Sequence, residues 1–143
     1  MAADQDRFSK VLMSVARGLN RIGRERARTG DVTPQQAETL QLIAERGAVS
    51  TSTLATLLGI DPSTASRNLS GLEREGFITR KKGSDDGRQT DVRLSPRGKR
   101  TAESVTGDAT TAYVSVMEKL ARADRAKVIE ALDILAKALD KQA

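Results

Sequence analysis

Residues 54–88, LATLLGIDPSTASRNLSGLEREGFITRKKGSDDGR, decide the fold. Leu54-Ala55-Thr56-Leu57-Leu58 is an apolar helical run stopped by Gly59, a residue suited to a left-handed C-terminal cap. Asp61-Pro62 then opens a second helix. Asp is a strong N-cap, and Pro fits the first helical position, where its missing N–H would be unpaired anyway. Gly76 closes that helix. Phe77-Ile78-Thr79-Arg80 and Asp91-Val92-Arg93-Leu94 are β-prone and partly alternating, and the turn-rich GSDDGR between them makes a hairpin. The order is helix, tight turn, helix, hairpin.

The same punctuation extends outward. Thr33-Pro34 and Ser95-Pro96 repeat the cap-proline signal, and Gln36 completes a capping box with Thr33. Gly47 ends the helix begun at Pro34. These marks place helices near 34–46, 51–58 and 62–75, with Ser50 capping the middle one and a two-residue strand near Ala48-Val49. Phe8, Val11, Leu12, Val15, Leu19 and Ile22 recur at helical spacing and predict a first helix over about 6–28. Five arginines (17, 21, 24, 26, 28) gather in its last turns. Past Pro96, an apolar stripe from Ala102 to Leu120 and another from Val128 to Leu139 predict two long helices, divided around 120–124, where the sequence offers little cap signal. The chain therefore divides into an N-terminal helix (1–32), a central unit (33–100) and C-terminal helices (101–143). The predicted class is mainly α with one small β-hairpin.

Composition removes several kinds of chemistry. Without cysteine there is no disulfide, thiolate nucleophile or Cys-ligated metal; without histidine the commonest metal ligand and the usual neutral-pH base are gone. No enzyme activity, cofactor or metal is expected. The N-terminal MAADQDRFSK has no apolar run resembling a signal peptide, and no segment reaches the length of a membrane span, so a cytoplasmic location is expected. The 24 Lys+Arg exceed the 19 Asp+Glu by a net +5, which favours a polyanionic partner. With three aromatics only (Phe8, Phe77, Tyr113), the core must be built from Leu, Ile, Val and Ala.

On the 62–75 helix, Ala65, Leu69 and Leu72 fall at i, i+4 and i+7 and should face the core. That leaves Ser63, Thr64, Ser66, Arg67 and Asn68 toward solvent near its start. No bulky or acidic side chain is expected to block this leading turn, so it could enter a DNA major groove. Arg67 could read a guanine edge and Asn68 an adenine, while serine and threonine more often bind phosphate. The free N–H groups of the helix start favour a phosphate nearby. In the hairpin, Arg80, Lys81 and Lys82 lie on the outgoing strand and Arg88 just past the turn, a shape suited to a narrow minor groove. Asp86 is expected to hold Arg88 by a local ion pair. The ordinary alternatives are a solvated helix face and a lysine-rich strand edge that discourages aggregation. Arg93, Arg97, Lys99 and Arg100 either extend the basic surface or simply face solvent.

From about 33 to 100 the chain resembles the multiple-antibiotic-resistance-regulator (MarR) family of winged helix-turn-helix repressors. The resemblance rests on Leu54-Ala55…Leu58, Ser63-Thr64…Arg67-Asn68-Leu69, Leu72-Glu73-Arg74-Glu75-Gly76-Phe77-Ile78, Arg80…Asp86-Gly87-Arg88 and Val92-Arg93-Leu94-Ser95-Pro96-Arg97-Gly98. Gly87 departs from the arginine that many relatives carry there. The resemblance implies a winged helix-turn-helix domain flanked by dimerisation helices, and a homodimer with two recognition helices in successive major grooves. It carries Ser63, Thr64, Ser66 and Arg67 over to the recognition helix and Arg88 to the wing. It also implies a cleft for a small phenolic or anionic effector, where Arg17 or Arg21 could meet an anion; contact of those arginines with solvent or DNA phosphate is the preferred alternative. The expected partners are double-stranded DNA, a second copy of the chain and a small-molecule effector, with no membrane. The leading expectation is a repressor on a pseudo-palindromic operator; an architectural DNA binder without an operator and a winged protein-interaction module are the rivals.

Overall fold

The computed structural model describes residues 1–27, 32–82 and 90–140. The chain divides into two compact units, Met1–Gln35 and Gln36–Ala143. The first holds helix α1 (Ala2–Ala27), which starts four residues before the predicted position. Asp4 in its first turn complements the positive end of the helix dipole, and Lys10 pairs with Asp6 one turn away at 2.7 Å. Phe8, Val11, Val15 and Leu19 of its apolar stripe are exposed.

The remaining elements follow as α2 (Pro34–Arg46), β1 (Val49–Ser50), α3 (Thr51–Leu58), α4 (Pro62–Arg74), β2 (Ile78–Lys82), β3 (Thr90–Leu94), α5 (Pro96–Glu118) and α6 (Arg122–Asp140). The caps explain the bounds. The Ser50 side chain accepts from the Thr53 N–H at the start of α3, Asp61 accepts from the Thr64 N–H, and Ser95 from the Gly98 N–H, with Pro62 and Pro96 in the first turns of their helices. Gly47, Gly59 and Gly76 all take the left-handed conformation foreseen for them. At Gly59 and Gly76 the two bonds of a Schellman motif close the helix: Gly59 N–H to Thr56 O with Ile60 N–H to Ala55 O, and Gly76 N–H to Glu73 O with Phe77 N–H to Leu72 O.

Three of the boundaries that differ from the sequence reading have a visible cause. Phe77 belongs to the cap of α4 rather than to the strand, because its N–H is taken by Leu72 O. The short strand sits one residue later than Ala48-Val49, since Val49 pairs with Val92 and Ser50 serves both as strand end and as helix cap. The break between α5 and α6 falls at 119–121. It carries no Gly or Pro; instead the Arg125 guanidinium donates back to Leu120 O and Glu118 O, both at 3.4 Å.

The sheet is antiparallel in the order β1-β3-β2, with Ile78 opposite Leu94 and Arg80 opposite Val92. α3 packs on α4, α4 on β2, and α5 on β3. Leu40, Ile43, Leu54, Leu69, Leu72 and Val92 are buried at the centre of this small core. α5 enters it at Gly98, Ala102 and Ala109, whereas α6 buries no residue.

The start of α5 grips the end of α4. The Arg97 guanidinium donates to Glu75 O, the Ser95 hydroxyl to Gly76 O and the Ser95 N–H to Phe77 O, three consecutive carbonyls. Arg97 also lies 4.4 Å over the Phe77 ring, a cation–π contact. Arg97 is exposed, as one of the alternatives left open for it has it, and it also serves as a brace. Gly98 sits so close that a Cβ there would overlap the Phe77 carbonyl oxygen.

Candidate nucleic-acid interface

α4 is held from behind by Ala65, Leu69 and Leu72, all buried, as its spacing predicts. Ser63, Ser66 and Arg67 are exposed on the opposite side, and Thr64 and Asn68 are half-buried. The leading turn is not free of acid, however. The cap residue Asp61 accepts from the Thr64 hydroxyl at 2.7 and 2.8 Å, from the Ser63 hydroxyl at 3.1 and 3.2 Å, and from the Thr64 N–H at 3.2 Å. These bonds, Thr64's hydroxyl first, hold the Asp61 carboxyl below the usual carboxylate range, with a further contribution from the Arg67 charge. The anion that the helix start favours is thus the protein's own carboxylate. Phosphate would have to compete with it for the same N–H.

Arg67 donates one N–H to the Thr64 hydroxyl oxygen at 3.3 Å, forming a chain Arg67 to Thr64 to Asp61. Its other donors make no hydrogen bond among the described residues, and the side chain is exposed. Asn68 has its amide nitrogen enclosed without a partner. Pairing with adenine would require that side chain to turn outward, which would also relieve a buried donor whose loneliness costs about 1–3 kcal/mol.

The basic strand splits into two roles. Arg80 shares a sheet face with buried Ile78 and Val92, so its side chain, 22% exposed, lies back toward α4. There its guanidinium donates to Ser70 at 3.0 Å and pairs with Glu73 at 3.3 Å. Lys81 and Lys82 are exposed, with Lys81 opposite Asp91 in the register. Arg88, its expected partner Asp86, and Gly87 lie outside the described residues. The structure therefore gathers Ser63, Thr64, Ser66 and Arg67 on one surface, turns Arg80 inward and leaves Lys81 and Lys82 in solvent. Sequence reasoning missed the grip of Asp61 and the anchoring of Arg80. The period of two from Ile78 to Arg80 carried the second signal.

A helix capped by Asp61, exposed at its leading turn and followed by the two longer strands of a three-stranded sheet, matches a known pattern. Residues 32–90 match the model described as the MarR family. This segment is a MarR-family domain. The likeness of fold runs along the whole chain. A MarR-family protein from Bacillus stearothermophilus superposes with a TM-score of 0.87 at 22% identity, covering 98% of both chains. FabT of Streptococcus pneumoniae, solved in complex with DNA, gives 0.80 at 19% identity over 96% of this chain and 99% of that one. RV1404 from Mycobacterium tuberculosis gives 0.75 at 28% identity, covering 93% and 92%. The chain thus has the fold of MarR-family transcriptional regulators. Among curated proteins it resembles riboflavin kinases: 43% identity over 60 residues with that of Methanospirillum hungatei JF-1, and 47% over 51 residues with that of Methanocella arvoryzae. The matches cover 27% and 24% of those kinases, so the chain spans about a quarter of their length.

Proposed function

We propose that this chain is a sequence-specific DNA-binding transcriptional regulator that acts in the cytoplasm as a homodimer, a repressor on a pseudo-palindromic operator. One observation carries the reading: in a MarR-family fold, the leading turn of α4 presents Ser63, Ser66 and the free donors of Arg67 to solvent while its opposite side is buried. In this reading residues 33–100 are the DNA-binding unit, Arg67 reads a base edge, Thr64 orients it, and Asn68 joins after turning outward. Lys81, Lys82 and Arg88 neutralise phosphates along the wing, with Arg80 holding the wing strand to α4. The complex of FabT with DNA supports the choice of partner. No enzymatic step belongs to this function.

Residues 1–32 and 101–143 form the dimer contact. Ile129, Leu132 and Leu139 of α6 are exposed apolar side chains on a helix that buries nothing, and such patches mark interaction surfaces. An effector of anionic character would enter the cavity of about 710 Å³ bordered by Leu94, Ala102, Arg93 and Lys99, a volume in the range of small-molecule sites.

Selection from random duplexes tests the function. A recovered palindrome with half-site centres ~10 bp apart is expected for a two-fold helix-turn-helix dimer. Binding without a consensus would assign an architectural role, and no duplex binding at physiological salt would leave a protein-interaction module. Repeating the binding with small aromatic carboxylates present checks the effector: release of DNA is expected, and no release across the series removes that part.

A further inference from the structure

The bonds at the start of α4 have a polarity. A carboxylate can only accept, so each hydroxyl within hydrogen-bond distance of Asp61 must be the donor. Thr64 gives its proton to Asp61 at 2.7 Å and accepts from Arg67 at 3.3 Å. Ser63 gives its proton to the same carboxylate at 3.1 Å and has no other bond among the described residues. The hydroxyl oxygen of the exposed Ser63 therefore offers lone pairs, not a proton, to the outside. The Thr64 and Ser63 hydrogen bonds lower the pKa of Asp61, so the carboxylate is ionised at neutral pH and the arrangement stays in place.

Resting on the DNA-binding reading above, we propose that Asp61 is a positioning residue that sets base specificity: it makes Ser63 an acceptor and, through Thr64, fixes the posture of Arg67. An acceptor in the major groove selects bases that offer a donor there, the exocyclic amines of cytosine and adenine; guanine and thymine offer acceptors at the corresponding edge. It also disfavours phosphate, which needs a donor. Asp61 never touches DNA in this scheme. It decides which way two hydroxyls and one guanidinium face.

Asp61→Asn inverts the polarity with little change of shape. Asparagine caps helices as well as aspartate does, through its carbonyl oxygen. Its amide nitrogen can only donate, and its one oxygen, with two lone pairs, cannot take both hydroxyls as well as the Thr64 N–H, so at least one hydroxyl must send its proton elsewhere. Selection from randomised duplexes is run on the full-length wild type, Asp61→Asn, Asp61→Ser and Ser63→Ala, with thermal unfolding as the check on folding. Ser63→Ala marks the operator position that Ser63 reads, as the one whose preference it flattens. The wild type is expected to prefer cytosine or adenine there. Asp61→Asn should lose that preference by about five-fold, the weight of one net hydrogen bond of about 1 kcal/mol, and should relax the guanine position read by Arg67. Should Asp61→Asn fail to fold, Asp61→Ser, which keeps a cap but offers one oxygen to two hydroxyls, is expected to shift the same positions.

Removing a negative charge near DNA also tightens binding to every sequence, so tighter binding alone is not support. An unchanged consensus in the folded variants, with affinity raised uniformly, overturns the proposal and leaves Asp61 as a cap and a charge. Guanine or thymine preferred at the Ser63 position by the wild type overturns it as well. A wild type that yields no consensus overturns the sequence-specific reading on which the proposal rests, a failure visible before any variant is compared.

Discussion

Arg67 is exposed, held at one N–H by Thr64 and free at the rest, which suits it to a bidentate contact with guanine. Arg67→Ala is expected to weaken operator binding by about 1–3 kcal/mol and to relax preference at one position per half-site. Titration of operator and scrambled duplexes checks it; equal weakening on both would place Arg67 on the backbone alone. At this scale the sequence was legible in part. Helical spacing alone separated Ala65, Leu69 and Leu72 from the outward residues, because a helix facing a core has a fixed period. It also showed Asp61 as a cap. It did not show that the same carboxylate reaches two hydroxyls, since that depends on rotamers within one turn. Arg80 looked like part of a basic run; the period of two sets it on the face of Ile78, and the sheet register adds that Val92 shares that inner face.

The elements were legible where backbone chemistry is local. Pro62 and Pro96 start helices, Gly59 and Gly76 end them, and the observed bounds of α2, α3 and α4 agree with 34–46, 51–58 and 62–75 to within a residue. The break after α5 was less sharp in the sequence because a side chain from the next helix, Arg125, satisfies the last carbonyls. The contact of α5 with the end of α4 was invisible too: Gly98 reads as an ordinary early-helix glycine until Phe77 is seen against it. Gly98→Ala is expected to destabilise the fold by about 1–3 kcal/mol or more, as overpacking does. Urea unfolding measures it, and a loss under about 0.5 kcal/mol would mean that α5 shifts without resistance.

For the molecule as a whole, charge and exposed apolar surface point the same way. A net +5 suits a polyanionic partner, and Phe8, Leu19, Leu132 and Ile134 are exposed on long helices that a soluble monomer would have little reason to keep. Sedimentation equilibrium should give about twice the 15.4 kDa of one chain. Leu132→Lys should lower that mass and weaken operator binding together; a monomer at micromolar concentration in the unaltered protein would remove the two-fold operator from the proposal. The logarithm of operator affinity should also fall linearly with the logarithm of salt concentration, as phosphate neutralisation requires.

Three neighbouring carbonyls at the tail of α4 are fastened to the first residues of α5, and the absent side chain at position 98 lets the two backbones touch. With no slack at that joint, tilting the long helix carries α4 with it, as a tiller turns a rudder. Under the proposed function, anything settling along α5 would therefore change the angle at which α4 is offered to DNA.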